Sequence, residues 1–268
     1  MSYSRHRAIS KPLPGCSVDW THPLSRSLKY HWLFNDGAGS GVTNIVSANG
    51  QGTCVAAPLW IGSPRGSALS FNGTTQYVNV PSFFWPGGSS VTVILWILSK
   101  RHSEGNSGSA FGTNAPGAVR FQAHITYDDS LFWDYGLAGG NGRITTAFDS
   151  YFNKWTHVAL LSAGNGGSYK AVYLNGILIA ESTGSSDGPS DSRTGITLGA
   201  WVLDNNLYQK CFIDDFRIYN RVLSGGEIQQ LYTDPYLNIL SPSYRRYFAG
   251  GLSIPVAMAS YRRMGGRQ

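Results

Sequence analysis

The stretch CFIDDFRIYNRVLSGGEIQQLY, from Cys211 to Tyr232, sets two carboxylates side by side in a run of apolar and aromatic residues. Adjacent acids could form an acid–base pair, ligate a cation, or serve as paired structural charges. On a strand, successive side chains point to opposite faces. Strict alternation puts Phe212, Asp214, Phe216 and Ile218 on one face and Ile213, Asp215, Arg217 and Tyr219 on the other. The two acids could not then act on one atom, which argues against joint catalysis. Asp215 and Arg217 would share a face and pair weakly. Asp214, on the more apolar face, needs a partner: a backbone amide, a hydroxyl or a metal.

A second group of chemistry-bearing residues lies in YDDSLFWDYG, which brings together Tyr127, Asp128, Asp129, Trp133 and Asp134. Aromatic rings among polar groups suit contact with a sugar. The competing reading sends these rings to the core or to a subunit interface, where aromatics generally dominate. Trp60, Trp85, Trp133 and Trp201 all fall in or beside turn-rich segments. Pairs such as Asp128 or Asp134 with Asp149 could form only in space, and nothing in their spacing favours them. The six histidines show neither HxH nor HExxH. His157, in KWTHVAL, reads as a packing residue with both ring nitrogens satisfied locally. Cys16, Cys54 and Cys211 are odd in number and lack a CxxC, so a disulfide framework is not expected.

These groups must be positioned by strands. Of 268 residues, 42 % are apolar and only 13 % charged, with 33 glycines and few lysines or glutamates. That composition favours strands and turns over helices. LKYHWLF alternates Leu28, Tyr30, Trp32 and Phe34 against Lys29, His31 and Leu33. VTVILWIL (91–98) is almost continuously apolar, as a central strand buried on both faces should be. Asn175-Gly176 between apolar runs is a two-residue hairpin turn. Ten to thirteen short strands at hairpin spacing imply an antiparallel sandwich. One helix is signalled: Ser224 and Glu227 have capping-box spacing, Ile228 and Leu231 lie on one face, and Asp234-Pro235 ends it.

The net charge of +6 is concentrated at the ends. Residues 1–30 and 241–268 hold 10 of the 21 basic residues and 1 of the 15 acids, leaving the middle at 11 basic against 14 acidic. Such ends can bind nucleic acid, but their Pro, Tyr, Phe and Leu content fits docking on acidic neighbours better. The first residues lack the apolar core of a secretory signal, and no window reaches 18 uninterrupted apolar residues.

Several segments, in order, resemble laminin G-like domains of the concanavalin A-like lectin/glucanase superfamily. LKYHWLFNDGAGSGVTNIVSANGQG resembles the opening strand and turn. GSALSFNGTTQYVNV resembles a segment usually acidic at its turn. KWTHVALLSAGNGGSYKAVYLNGILIAES resembles the Trp-Thr-His-Val strand and its hairpin, and FIDDFRIYNRVLSGGEIQQLY the closing strand and helix. The resemblance spans about residues 24–233. It implies an all-β, two-sheet antiparallel jelly-roll sandwich with one short C-terminal helix, between a basic N-terminal arm (1–23) and a basic C-terminal arm (234–268). The flanks DWTHPLSRSLKYHWLFNDGAGS and LYTDPYLNILSPSYRRYF resemble virion-associated proteins of tailed bacteriophages. That implies a structural or host-surface-binding protein of a particle.

Retaining glucanases of the superfamily set two glutamates about 5 Å apart on one strand face. This chain has Glu104, Glu181 and Glu227, none with an acid two positions away. No enzyme is therefore expected. Laminin G-like domains often bind calcium. Here the first position is Asn44, and the turn Asn72-Gly73-Thr74-Thr75-Gln76 carries no carboxylate, leaving a weak candidate pair of Asn44 and Asp214. The leading expectation is a non-enzymatic virion protein, a capsid decoration protein docked on capsid or tail subunits and on copies of itself. Docking would use Arg5, Arg7, Arg245, Arg246, Tyr247, Phe248, Arg262 and Arg263. The alternative is a lectin-like module reading host glycans, with Tyr127, Asp128, Trp133 and Asp134 as contacts. Neither membrane nor nucleic-acid binding is expected.

Overall fold

The computed structural model describes residues 10–103, 107–113, 119–126, 128–137, 142–183, 188–202 and 207–241. Two sheets face each other. The first runs Ile177–Ser182, Lys170–Leu174, Trp155–Ser162, Val91–Ser99, Lys210–Tyr219, Gly66–Asn72, Leu59–Ser63, with Leu28–Trp32 also paired to Lys210–Tyr219. The second runs Arg143–Ala147, Ser130–Leu137, Val119–Thr126, Ser107–Thr113, Arg193–Leu198, Tyr77–Trp85, Gly52–Val55, Gly41–Val42. Every strand pairing among the described residues is antiparallel, apart from a one-residue parallel contact of Tyr208 with Ser109. The antiparallel jelly-roll-like sandwich expected from the sequence is what forms. Among the described residues, no helix is long and apolar enough to cross a membrane, and Cys16, Cys54 and Cys211 are unbridged.

Val91–Ser99 is central, between Trp155–Ser162 and Lys210–Tyr219, and buried on both faces. Its β-branched residues pack well on a pleated surface. The inter-sheet core is aromatic: Phe111 meets Phe121 and Phe216 edge-on, and Trp133 stacks on Tyr135 at 5.6 Å. Such pairs are worth about 0.5–1.5 kcal/mol each beyond their buried area. The hairpin at Asn175-Gly176 has φ of 52° and 79°, the left-handed pair that a tight strand reversal requires.

A third layer covers the outer face of the first sheet. The helix Gly225–Thr233 is capped as expected, with the Glu227 N–H donating to Ser224 Oγ and the Ser224 N–H to the Glu227 carboxylate. Ile228 and Leu231 join Ile94, Leu161, Ala171 and Tyr173 in a second apolar cluster. Burying each contributes about 1.5–3 kcal/mol. The described inner ends of both arms belong to this layer: Ser17–Val18 pairs with Ile239–Leu240, and Cys16, Tyr236 and Asn238 are buried. The boundaries set at 23/24 and 233/234 therefore do not mark where packing stops.

Candidate functional site

The two aspartates do not alternate. Asp214 pairs with Trp96 and Phe216 with the adjacent Leu95, so Asp215 is an extra residue in a β-bulge. Its φ of +63° lies in the left-handed region that Asp tolerates. The bulge shifts the parity of the strand. Cys211, Ile213, Phe216 and Ile218 face the inter-sheet core, while Asp214, Asp215 and Arg217 lie beneath the third layer. This corrects the expected alternation, which had Phe216 and Ile218 sharing a face with Asp214 and separated the two carboxylates.

Both acids are buried and paired. Arg217 donates to Asp215 through Nε at 2.9 Å and Nη2 at 2.6 Å, and His31 Nε2 lies 2.7 Å from Asp215 Oδ1. This is a buried bidentate pair, not the weak one expected. Asp214 takes the hydroxyl that the sequence allowed, accepting from Ser63 Oγ at 2.7 Å, and it also pairs with Lys11 and with Arg65 at 3.6 Å. The Arg65 guanidinium sits 3.6 Å over the Trp96 ring. Burial works to raise the Asp215 carboxyl, but Arg217 and His31 outweigh it and hold it well below the carboxylate range. Burial, then Arg217, lowers His31 to about 4, so its contact with Asp215 is a hydrogen bond from a neutral imidazole. Lys11 comes from the N-terminal segment, and Arg217 also donates to the Pro235 carbonyl and to Asn238 Oδ1. The cluster ties both terminal segments to the sheet and leaves neither acid free for a substrate.

His157 packs between Trp96, at 5.1 Å, and Tyr232, at 5.7 Å. The packing role is as expected, but the local satisfaction is not: neither ring nitrogen has a hydrogen-bond partner among the described residues. Burial lowers its pKa to about 3.

Asn44 and Asp214 share no partner. Asn44 Oδ1 accepts from the His31 and Val46 amides, and its Nδ2 donates to the Asn49 carbonyl at 2.7 Å. Among the described residues, no three His, Cys, Asp or Glu side chains gather as a metal would need. In the turn at 72–76, Asn72 Oδ1 accepts from the amides of Thr74, Thr75 and Gln76, which holds the loop from within.

The sugar-contacting loop expected at 127–134 is mostly a strand, Ser130–Leu137. Trp133 is fully buried and donates to the Leu161 carbonyl, so it is a core ring and not a platform. Asp134 is equally buried, held by Arg143 at 2.5 and 2.7 Å and Arg120 at 3.2 Å. Trp133 is corrected by its inward register, and Asp134, on the opposite face of the strand, by the arginines that cover it. Asp128 is exposed and accepts from the Ser130 amide. Trp85 and Trp201 are buried as well. Tyr127 and the docking candidates Arg5, Arg7, Arg245, Arg246, Tyr247, Phe248, Arg262 and Arg263 lie outside the described residues.

A residue that the sequence did not single out forms an exposed platform. In Tyr77–Trp85, Val78 and Val80 face the core, then Phe83 and Trp85 do, so parity changes at Pro81-Ser82. Opposite, Thr194 pairs with Phe84 and Ile196 with Val80, a bulge that leaves Gly195 with φ +69°. Pro is tolerated in strands at such bulges. Phe84 is consequently turned outward, 53 % exposed. The Tyr30 hydroxyl fixes its backbone, accepting from the Phe84 N–H at 3.0 Å and donating to its carbonyl at 3.1 Å. Around the ring, Lys29, Ser47, Asn49 and Asn220 line a cleft of about 260 Å³. A proline inside a strand pattern was the available signal.

Comparison with known proteins agrees with this architecture. A family model described as Concanavalin A-like lectin/glucanases superfamily matches residues 72–229. Comparison with curated protein sequences gives no match. Among solved structures, the chain is similar to the binding domain of Paraclostridial Mosquitocidal Protein 1 (TM-score 0.62, 18 % identity, 80 % of this chain and 53 % of that one). It is similar also to the botulinum neurotoxin serotype G binding domain (0.58, 14 %, 78 % and 51 %). A third is a Trypanosoma rangeli sialidase in complex with sialic acid (0.57, 15 %, 79 % and 33 %). The chain spans about half the length of the toxin domains and a third of the sialidase, and at these identities the likeness is one of fold. With the family model covering more than half of its length, the chain belongs to the concanavalin A-like lectin/glucanase superfamily.

Proposed function

We propose that the protein is a non-catalytic glycan-binding module that seats a sugar ring on Phe84. The observation that carries this reading is an exposed aromatic ring flanked by two amides, a hydroxyl and an ammonium in one cleft. The apolar face of a pyranose can lie on the ring while Asn49, Asn220, Ser47 and Lys29 meet its hydroxyls, the usual division between apolar lining and orienting polar groups. The lectin-like fold and the binding domains it resembles support the reading. The non-catalytic part of the reading draws its support from five of the described acids. Asp134, Asp214 and Asp215 are locked by cations, Glu227 is held to about 2 by Arg221 and the helix cap, and Glu181 stands exposed on an edge strand. Titration with neutral oligosaccharides should show binding that Phe84→Ala weakens about tenfold or more. Failure of every neutral sugar to bind at millimolar concentration overturns the reading.

A second reading, a structural protein of a phage particle, draws on one observation. Ser17–Val18 and Ile239–Leu240 lie side by side, so the described inner ends of both basic segments adjoin on one face, where the two segments could grip one acidic surface. Removal of residues 242–268 should then leave the sandwich folded but unable to join such a particle, and normal incorporation would refute it.

A further inference from the structure

The strand Lys210–Tyr219 separates the Phe84 cleft, beside Asn220, from a second cleft beside Lys210. At about 3.3 Å per residue, its ten residues set the two clefts roughly 30 Å apart, at opposite ends of the sandwich. The second cleft, of about 610 Å³, is lined by Arg101, His102 and Lys210 together with the hydroxyls of Thr74, Ser107 and Tyr208, and among the described residues none that lines it is acidic.

Its walls are set by close approaches. Gly73, at φ +78°, brings the 72–76 turn against the closing strand: a Cβ there would lie 2.7 Å from Lys210 Cβ. A Cβ on Gly108 would lie 2.5 Å from Gln209 Oε1 and 2.6 Å from His102 Nε2. Gln209 is buried and donates to Ser99 Oγ at 2.8 Å, so its carbonyl oxygen faces His102 and accepts from Nε2 at 3.1 Å. Arg101 is held by Asp129 at 2.9 Å and by the Phe152 ring at 5.1 Å, yet its side chain stays 55 % exposed. Lys210 is exposed and joins no ion pair among the described residues. A guanidinium already fixed in place binds an anion with less ordering cost than a free one.

We propose that this cleft binds the carboxylate or sulfate group of an acidic saccharide. Arg101 and Lys210 would meet the anion, and Thr74, Ser107 and Tyr208 the sugar hydroxyls. The volume is far larger than a simple oxyanion fills, and the hydroxyl lining suits a polyol. The proposal rests on the glycan-binding reading for the saccharide, but uses different residues. The test titrates the full chain with an oligogalacturonate, a sulfated galactan oligosaccharide, the neutral galactan oligosaccharide and polyglutamate. The expected result is binding of one or both acidic saccharides, weakened by salt and about tenfold or more by Lys210→Glu or Arg101→Gln. Phe84→Ala should leave that binding intact, so loss of neutral-sugar binding alone reports only on the other cleft. Which acidic saccharide binds names the anion. The proposal is overturned if neither binds at millimolar concentration, if both substitutions leave affinity unchanged, or if polyglutamate binds as tightly.

Discussion

The strands Lys210–Tyr219 and Tyr77–Trp85 use the same backbone device to opposite ends. Each carries a bulge that changes which side chains face the core. In Lys210–Tyr219 the outward side is roofed by the helix and the inner ends of the arms, so the bulge buries Asp214, Asp215 and Arg217. In Tyr77–Trp85 the turned-out Phe84 stays in solvent. A bulge re-aims a side chain, but what covers the face decides whether it becomes structure or surface. Under the roof, charges must be mutually paired, because an isolated buried charge is costly. In the open, an aromatic ring can remain available for a ligand.

The comparison breaks most sharply at Arg217. Arg217→Met leaves Asp215 buried without its bidentate partner and should cost about 3–5 kcal/mol in chemical denaturation. A loss below about 1 kcal/mol would place the pair at the surface, where such pairs are worth little. The next effect is on pH. His31 and His157 are held from 6.5 down to about 4 and about 3, by burial foremost. In that window the unfolded chain binds more protons, so stability is retained above pH 6.5 and lost as pH falls toward 4. Each imidazole contributes up to about 1.4 kcal/mol per pH unit. Denaturation midpoints that stay flat from pH 7 to pH 4 would show that the roof does not exclude water from these rings. A smaller effect belongs to the second bulge: Gly195→Ala, at φ +69°, should destabilise by about 1–2 kcal/mol and reduce Phe84-dependent sugar binding. The smallest is Phe84→Ala, which should change stability by no more than about 0.5 kcal/mol while binding is lost. A large loss of stability there would make Phe84 a packing residue.

Much of the frame was legible. VTVILWIL named its own central place, Asn175-Gly176 its hairpin, and Ser224 with Glu227 its cap. Each signal is local, completed within a few residues by propensity, turn geometry or one reciprocal hydrogen bond. The sugar contacts were not legible for a specific reason. Trp133 and Asp134 sit in a turn-rich sequence that reads as a loop, yet pairing with Val119–Thr126 and Arg143–Ala147 makes it a strand whose Trp points into the core.

By itself, then, the sequence determined the class of fold, the order of its main strands, the capped helix and the excess of positive charge at the ends. Only the tertiary structure decided that Asp214 and Asp215 share one buried side, that Phe84 looks outward and that Lys11 ends beneath the roof. The reason is that a bulge is defined by the partner strand, not by its own residues. Likewise a buried charge is settled by a partner elsewhere in the chain, as with His31 and Asp215, 184 positions apart.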